Sequence, residues 1–251
     1  MRKNIYIIVL FFTGVINIFS LDFSLSAGGG GIMGGFFTRY TLDANGIIEG
    51  ASVKVHAGQD LNQFNYGFFL FLDGIYGVLG VSFQNGINNF HETADISVMP
   101  SANNNSGKGW DTMIGISLLG KYPFSYNDRL TIFPMLGVEY QISLRQQRTQ
   151  PDGWIYDRTD GLREKDKNGN AYLLEDWNAL WVNLGCGLDY ELRDNLFFRS
   201  EFLYCIRTMT SYEIKNLDLM KKEAGDPNPK LGGLTSGPLF RISVGYRFFT
   251  R

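Results

Sequence analysis

Leu239-Phe-Arg-Ile-Ser-Val-Gly-Tyr-Arg-Phe-Phe249 alternates without a miss. Phe240, Ile242, Val244, Tyr246 and Phe248 fall on one face, and Arg241, Ser243, Gly245 and Arg247 on the other. Successive side chains of a strand point to opposite sides, so this strand has an apolar face and a charged, glycine-containing face. One such strand suits any half-buried sheet. Here the pattern recurs about eight times, separated alternately by long polar connections and short turns, which is the signature of a membrane-spanning β-barrel whose apolar face meets lipid.

The other strands repeat the rule. Phe64, Tyr66, Phe68, Leu70 and Leu72 share a face, Asp73-Gly74 follows as a two-residue hairpin signal, and Ile75, Gly77, Leu79, Val81 and Phe83 resume in opposite parity. Ile114, Ile116, Leu118, Tyr122 and Phe124 oppose Asp111, Met113, Gly115, Ser117, Leu119 and Lys121. Leu130, Ile132, Leu136, Val138, Tyr140, Ile142 and Leu144 oppose Thr131, Gly137, Glu139, Gln141, Ser143 and Arg145. Leu180 to Tyr190 puts Asn183, Gly185, Gly187, Asp189 and Glu191 on its second face, and Phe198 to Ile206 puts Arg199, Glu201 and Arg207 there. The first strand starts near Asp22, and Gly28 to Gly31 blurs its phase. Residues 41–61, 86–110, 147–177 and 210–237 read as long outer loops, and 73–74, 125–129 and 193–195 as short periplasmic turns. Eight strands with both termini at the periplasmic end need four of the former and three of the latter.

Arg2 and Lys3 precede the apolar run Ile5–Phe19, and small Ser20 ends it. This reads as a secretory signal peptide over residues 1–20, leaving residues 21–251 as the barrel. Its removal leaves 21 basic residues against 25 acidic, a mildly acidic balance that offers no footprint for nucleic acid. No later apolar run approaches the ~20 residues of a helical span. A soluble sandwich or lipocalin-like barrel also alternates, but it would bury the apolar face and leave the charged one in water. The signal segment, the asymmetry of the connections and the aromatics at strand ends (Tyr122, Phe124, Tyr190, Phe198, Tyr246, Phe248) favour the inside-out form.

In this architecture the chain resembles the small eight-stranded outer-membrane barrels of the OmpA/OmpX/OmpW type, over residues 21–251. That resemblance implies the outer membrane of a diderm bacterium, contact with its lipid, and assembly by the outer-membrane insertion machinery. The ending Gly245-Tyr-Arg-Phe-Phe249 is similar to the family's aromatic terminal signal, but Thr250-Arg251 follows it. The departure suits an outer membrane of another lineage, a spirochaetal one being one reading.

An eight-stranded barrel is narrow enough for side chains to fill. The inward phase supplies Lys121, Arg145, Arg199, Arg207, Arg241 and Arg247 against Asp73, Asp111, Glu139, Asp189, Glu191 and Glu201. Balanced signs suggest a self-neutralising network rather than the one-signed ring of a selective pore. Phe71, Tyr76, Leu119, Phe133 and Phe197 read as a bulky plug at the periplasmic end. The expected function is therefore a plugged surface barrel acting through its loops, by adhesion or ligand interaction, or structurally. An OmpW-like conduit for small or hydrophobic solutes is the alternative, hinted at by inward Met113 and Trp181.

A third reading, a loop-sited hydrolase, would use His56 and His91 with Ser52, Asp60 and Asp95 nearby. Two solvated histidines without a nucleophile in reach are the simpler expectation, so no enzyme activity, catalytic residue, cofactor or metal is assigned. Asp166-Lys-Asn-Gly-Asn170 lacks the glycine position and distal Glu of a calcium loop. Cys186 and Cys205 fall on opposite faces, which forbids a disulfide within that hairpin.

Overall fold

The structure, a computed structural model, describes residues 24–48, 51–96, 99–149, 155–158, 164–165, 171–172, 178–208 and 230–250. The signal segment, the calcium-like stretch 166–170 and residues 209–229 of the last connection lie outside them. The strands, in chain order, are β1 (Ser24–Ile48), β2 (Ala51–Asp73), β3 (Gly77–Ile96), β4 (Met99–Lys121), β5 (Phe124–Asn127), β6 (Leu130–Thr149), β7 (Ile155–Arg158), β8 (Glu164–Lys165), β9 (Ala171–Tyr172), β10 (Ala179–Arg193), β11 (Leu196–Arg207) and β12 (Lys230–Thr250).

Eight of these form a closed antiparallel meander. β10, β11, β12, β1, β2, β3, β4 and β6 pair in succession, and β6 pairs back onto β10. Closure leaves no edge within the ring, which is what a sheet must achieve to lie in hydrocarbon. The burial pattern is inside-out. Leu118 and Leu184 on the outer face are each 61% exposed, whereas Arg199 on the inner face is 0% exposed. Along β4 and the residue after it the exposed outer belt runs from Trp110 to Tyr122. Twelve residues at ~3.3 Å each, tilted ~40°, give roughly 30 Å, close to the ~25 Å apolar band of such barrels. At the turn end Tyr76 packs near Tyr122, Tyr122 near Phe124, and Tyr246 near Phe248, forming an aromatic rim. A charge at mid-belt tests this face: Leu118→Arg should lower stability by about 2–4 kcal/mol, measured by urea titration in lipid vesicles.

Five expectations are corrected. Asp73 does not turn. It ends β2 opposite Val78, and four residues, Gly74 to Gly77, make the bend, closed by Gly74 N–H donating to Gly77 O at 2.8 Å. An even number of loop residues still exchanges the parity, so the faces of β3 follow the expected phase while the turn itself is shifted. Tyr76 consequently sits in the bend, 45% exposed on the outer rim, and does not enter the lumen; Val78 is the buried residue there.

Arg145 also leaves the lumen. Thr112 pairs with Arg145 but Met113 pairs with Ser143, so Leu144 is a bulge that inverts the phase of the strand beyond it. Arg145 is exposed on the outer face and Gln146 is buried instead.

The third correction concerns residues 41–48, 51–61, 86–96, 99–110 and 230–237, which are strand rather than loop. β1–β2 pairing continues to Ile48↔Ala51, and β3–β4 pairing to Ile96↔Met99. Polar Asn, Asp and Gly read as loop because both faces of a hairpin beyond the bilayer meet water, which removes the alternation. Fourth, the connection at 193–195 is a two-residue turn, Asp194-Asn195, with a bulge at Leu192. Together they give the odd spacing that the unchanged parity demanded. Gly28 to Gly31 interrupt nothing: β1 runs through them in one phase, with Ser26, Ile32, Gly34, Phe36 and Thr38 inward.

Candidate functional site

The inward residues converge on Arg199. Its Nε and Nη2 donate to both carboxylate oxygens of Asp189, each at 2.6 Å, and Nη2 also donates to Asp73 Oδ2 at 2.5 Å. Lys121 Nζ donates to the same Asp73 oxygen at 2.7 Å. The guanidinium lies 4.8 Å from the ring centroid of Phe71 and 5.1 Å from those of Phe133 and Phe197, an arrangement that favours a cation over aromatic faces. Lys121 stands 5.0 Å from the Phe133 centroid.

Register explains how three large rings fit into so narrow a barrel. Phe71 pairs with Gly28, Phe133 with Gly187 and Phe197 with Gly245. A Cβ on those glycines would stand 2.5, 2.3 and 2.3 Å from the opposing ring. Each phenyl group therefore lies over a bare neighbouring strand, so the plug needs both members of each pair. Leu119 and Leu203, with no exposed surface, complete the section.

Further out, Arg241 Nη2 donates to Glu139 Oε2 at 2.7 Å and its guanidinium lies 5.2 Å from the Phe69 centroid. Glu201 stands between the two arginines, 3.9 Å from Arg199 and 3.6 Å from Arg241. Towards the short-turn end Arg247 pairs with Glu191 at 2.5 Å. Towards the outer mouth Arg207 donates to the Tyr40 hydroxyl and Asn88 donates to Asp111 at 2.8 Å. Of the residues expected in the lumen, Lys121, Glu139, Asp189, Glu191, Arg199, Glu201, Arg207, Arg241 and Arg247 face inward, and so do Phe71, Leu119, Phe133 and Phe197. Tyr76 and Arg145 do not.

Asp73, which the Asp-Gly signal places in a turn, bridges Arg199 and Lys121; the sequence alone leaves one further layer, of amides, unseen. Gln84 donates to Glu139 at 3.2 Å, Gln141 donates to Glu139 at 3.3 Å, and Trp181 Nε1 donates to Gln141 at 2.7 Å. Inward parity marked these amides as polar lumen residues, but only register brings them onto one carboxylate. Within the ring, buried charges are opposed by charges and rings, the condition under which a low-dielectric interior tolerates them. No water-sized space remains between Phe36, Glu139, Trp181 and Cys205 with the side chains as they stand.

His56 and His91 lie on the outward face of the β2–β3 extension rather than at the mouth. His56 Nδ1 is 2.5 Å from Asp43 Oδ1, both side chains well exposed, and His91 is opposite Asp60, which itself pairs with Arg39 at 2.9 Å. Cys186 is exposed on the outer face and Cys205 buried in the lumen, both as free thiols.

No protein-family model matches the chain, and no curated protein sequence matches it significantly. Among solved structures, it is similar to OprG from Pseudomonas aeruginosa at 12% identity and TM-score 0.36, covering 90% of this chain and 95% of that one. It is similar to Ail of Yersinia pestis, in complex with the heparin analogue sucrose octasulfate, at 10% identity and TM-score 0.30, covering 90% and 98%. It is also similar to the outer membrane protease OmpT of Escherichia coli at 9% identity and TM-score 0.32, covering 90% and 97%. Likenesses this distant carry no functional argument, and the architecture rests on the closed pairing and the inverted burial. By those two properties the protein is an eight-stranded antiparallel β-barrel with its apolar face outward, the build of a membrane-spanning barrel.

Proposed function

We propose that the protein sits in the outer membrane of a diderm bacterium as a non-conducting barrel, and that it works at the cell surface by binding through its outer hairpins. The observation that carries this reading is the fully buried Arg199, tied to Asp73 and Asp189 and enclosed by Phe71, Phe133 and Phe197. Passage of a solute would require parting these ion pairs inside a narrow barrel, at a cost that no compensating contact repays. Meanwhile β2 continues from Phe64, at the upper edge of the belt, to Ala51. Thirteen residues at ~3.3 Å amount to roughly 40 Å of strand beyond the belt. Hairpins of that length, paired along their strands, suit presentation of a binding surface. The reading assigns the barrel no reaction, and its partners are membrane lipid, the insertion machinery and an extracellular ligand.

Single-channel recording of the refolded protein in planar bilayers tests it. A folded but silent barrel is the expected result. Steady discrete openings altered by Glu139→Ala would instead support a narrow conduit for small solutes. Surface binding is tested separately by replacing residues 43–56 with Asn-Gly. Cells should keep the folded barrel and lose adherence to immobilised surface ligands.

A further inference from the structure

Just outward of the Arg241–Glu139 pair, Phe36, Glu139, Gln141, Trp181, Asn183 and Cys205 close around a collapsed chamber that holds no water-sized space. Its polar groups are matched with one exception. Glu139 accepts from Gln84, Gln141 and Arg241, and Gln141 accepts from Trp181. Asn183 is 1% exposed, yet neither its Nδ2 nor its Oδ1 has a hydrogen-bond partner. A buried amide with both ends open is a costly feature that calls for an occupant. The ring centroids of Phe36 and Trp181 lie 4.9 Å apart and cover the chamber. With them in place no water-sized body fits, so occupancy requires the Trp181 ring to swing away from its single hydrogen bond to Gln141.

We propose that this chamber is a binding site, opened from the outer side by Trp181, for a small uncharged molecule of carboxamide type held by Asn183. The chemistry of the lining selects the class. Asn183 offers one donor and one acceptor side by side, which a primary amide matches reciprocally. The one carboxylate in the wall is neutralised by Arg241 at 2.7 Å, so a charged guest would enter desolvated and unpaired. Phe36 and Trp181 supply flat apolar walls. An eight-stranded barrel leaves room for one small ligand at most. The pocket is blind, since Arg199 and its rings close the barrel below it. The proposal does not depend on how the outer hairpins bind.

Two reporters already line the chamber. In full-length protein carrying Cys186→Ser, Cys205 is the remaining thiol. Its modification by methyl methanethiosulfonate, a small neutral reagent, should be slowed about tenfold by acetamide at about ten times its Kd. Acetate, nearly isosteric but charged, should give no protection, and Asn183→Leu should abolish the effect of acetamide. Equal protection by acetate, protection that never saturates, or protection unchanged in Asn183→Leu would overturn the proposal. If Cys205 proves unreactive, Trp181 emission is read in protein carrying Trp110→Phe, Trp154→Phe and Trp177→Phe. A saturable shift with acetamide is expected. No shift would refute the site. A conducting barrel with this binding intact would refute the proposed function and leave the chamber standing.

Discussion

Replacing Arg199 with methionine should cost the folded barrel about 3–5 kcal/mol, the largest loss expected from removing any single inward charge. Asp189 would lose both of its 2.6 Å bonds and remain buried as an unpaired carboxylate. Asp73 would keep Lys121, so the two aspartates should not contribute equally. Three phenyl rings would also lose the cation between them. Two companion variants separate these effects. Arg199→Lys retains charge but cannot reproduce the planar fork to Asp189, so it should recover only part of the loss. Asp189→Leu combined with Arg199→Met removes the stranded charge and should be more stable than Arg199→Met alone. Urea midpoints in detergent micelles, followed by the gel mobility of the folded form, provide the comparison. A loss under about 1 kcal/mol for Arg199→Met would place that guanidinium in water and remove the plug from the account.

The second large effect is steric and lies at the β1–β12 seam, where the first and last strands of the ring meet. Gly30 faces inward opposite Ser243, and a Cβ there would come within 1.9 Å of Ile242 O and 2.5 Å of Ser243 Cα. These are backbone atoms and cannot swing aside. Gly31, the adjacent residue on the outer face, has open space at the same position. Gly30→Val should therefore cost more than about 3 kcal/mol, above the usual range for overpacking because main chain is displaced. Gly31→Val should be neutral or slightly favourable, since a β-branched residue suits a lipid-facing strand. Heat-modifiable mobility of both proteins refolded side by side reads this directly. Equal behaviour of the two variants would mean that β1 does not hold the phase assigned to it.

Much of this architecture is legible in the sequence, because parity alone assigns faces. From Phe240 to Phe248 every second residue is apolar, from Phe198 to Ile206 only Ser200 departs from that rule, and the intervening ones include Arg199, Glu201 and Arg241. No property of single strands, however, reveals register. The pairs Phe71–Gly28, Phe133–Gly187 and Phe197–Gly245 join residues far apart in the chain, and their meaning emerges only when strands are set side by side. Bulges are hidden for a related reason. Leu144 continues an apolar alternation, so Arg145 reads as inward until the partner strand shows that one residue has been skipped. Tyr76 was misplaced because Asp-Gly is a strong turn signal, whereas Asp73 is drawn into the lumen by Arg199 and Lys121. Here an ion pair outweighs local turn preference.

The central claim is that apolar faces meet lipid while the charged faces close the lumen. Quenching by lipids brominated at mid-chain tests it most directly, with one tryptophan per protein in reconstituted vesicles. Leu118→Trp, with the four native tryptophans replaced by phenylalanine, should be strongly quenched. Trp181 as the only tryptophan should be almost untouched, since it is buried inside the barrel. Equal quenching at both positions, or stronger quenching of Trp181, would contradict the inside-out barrel.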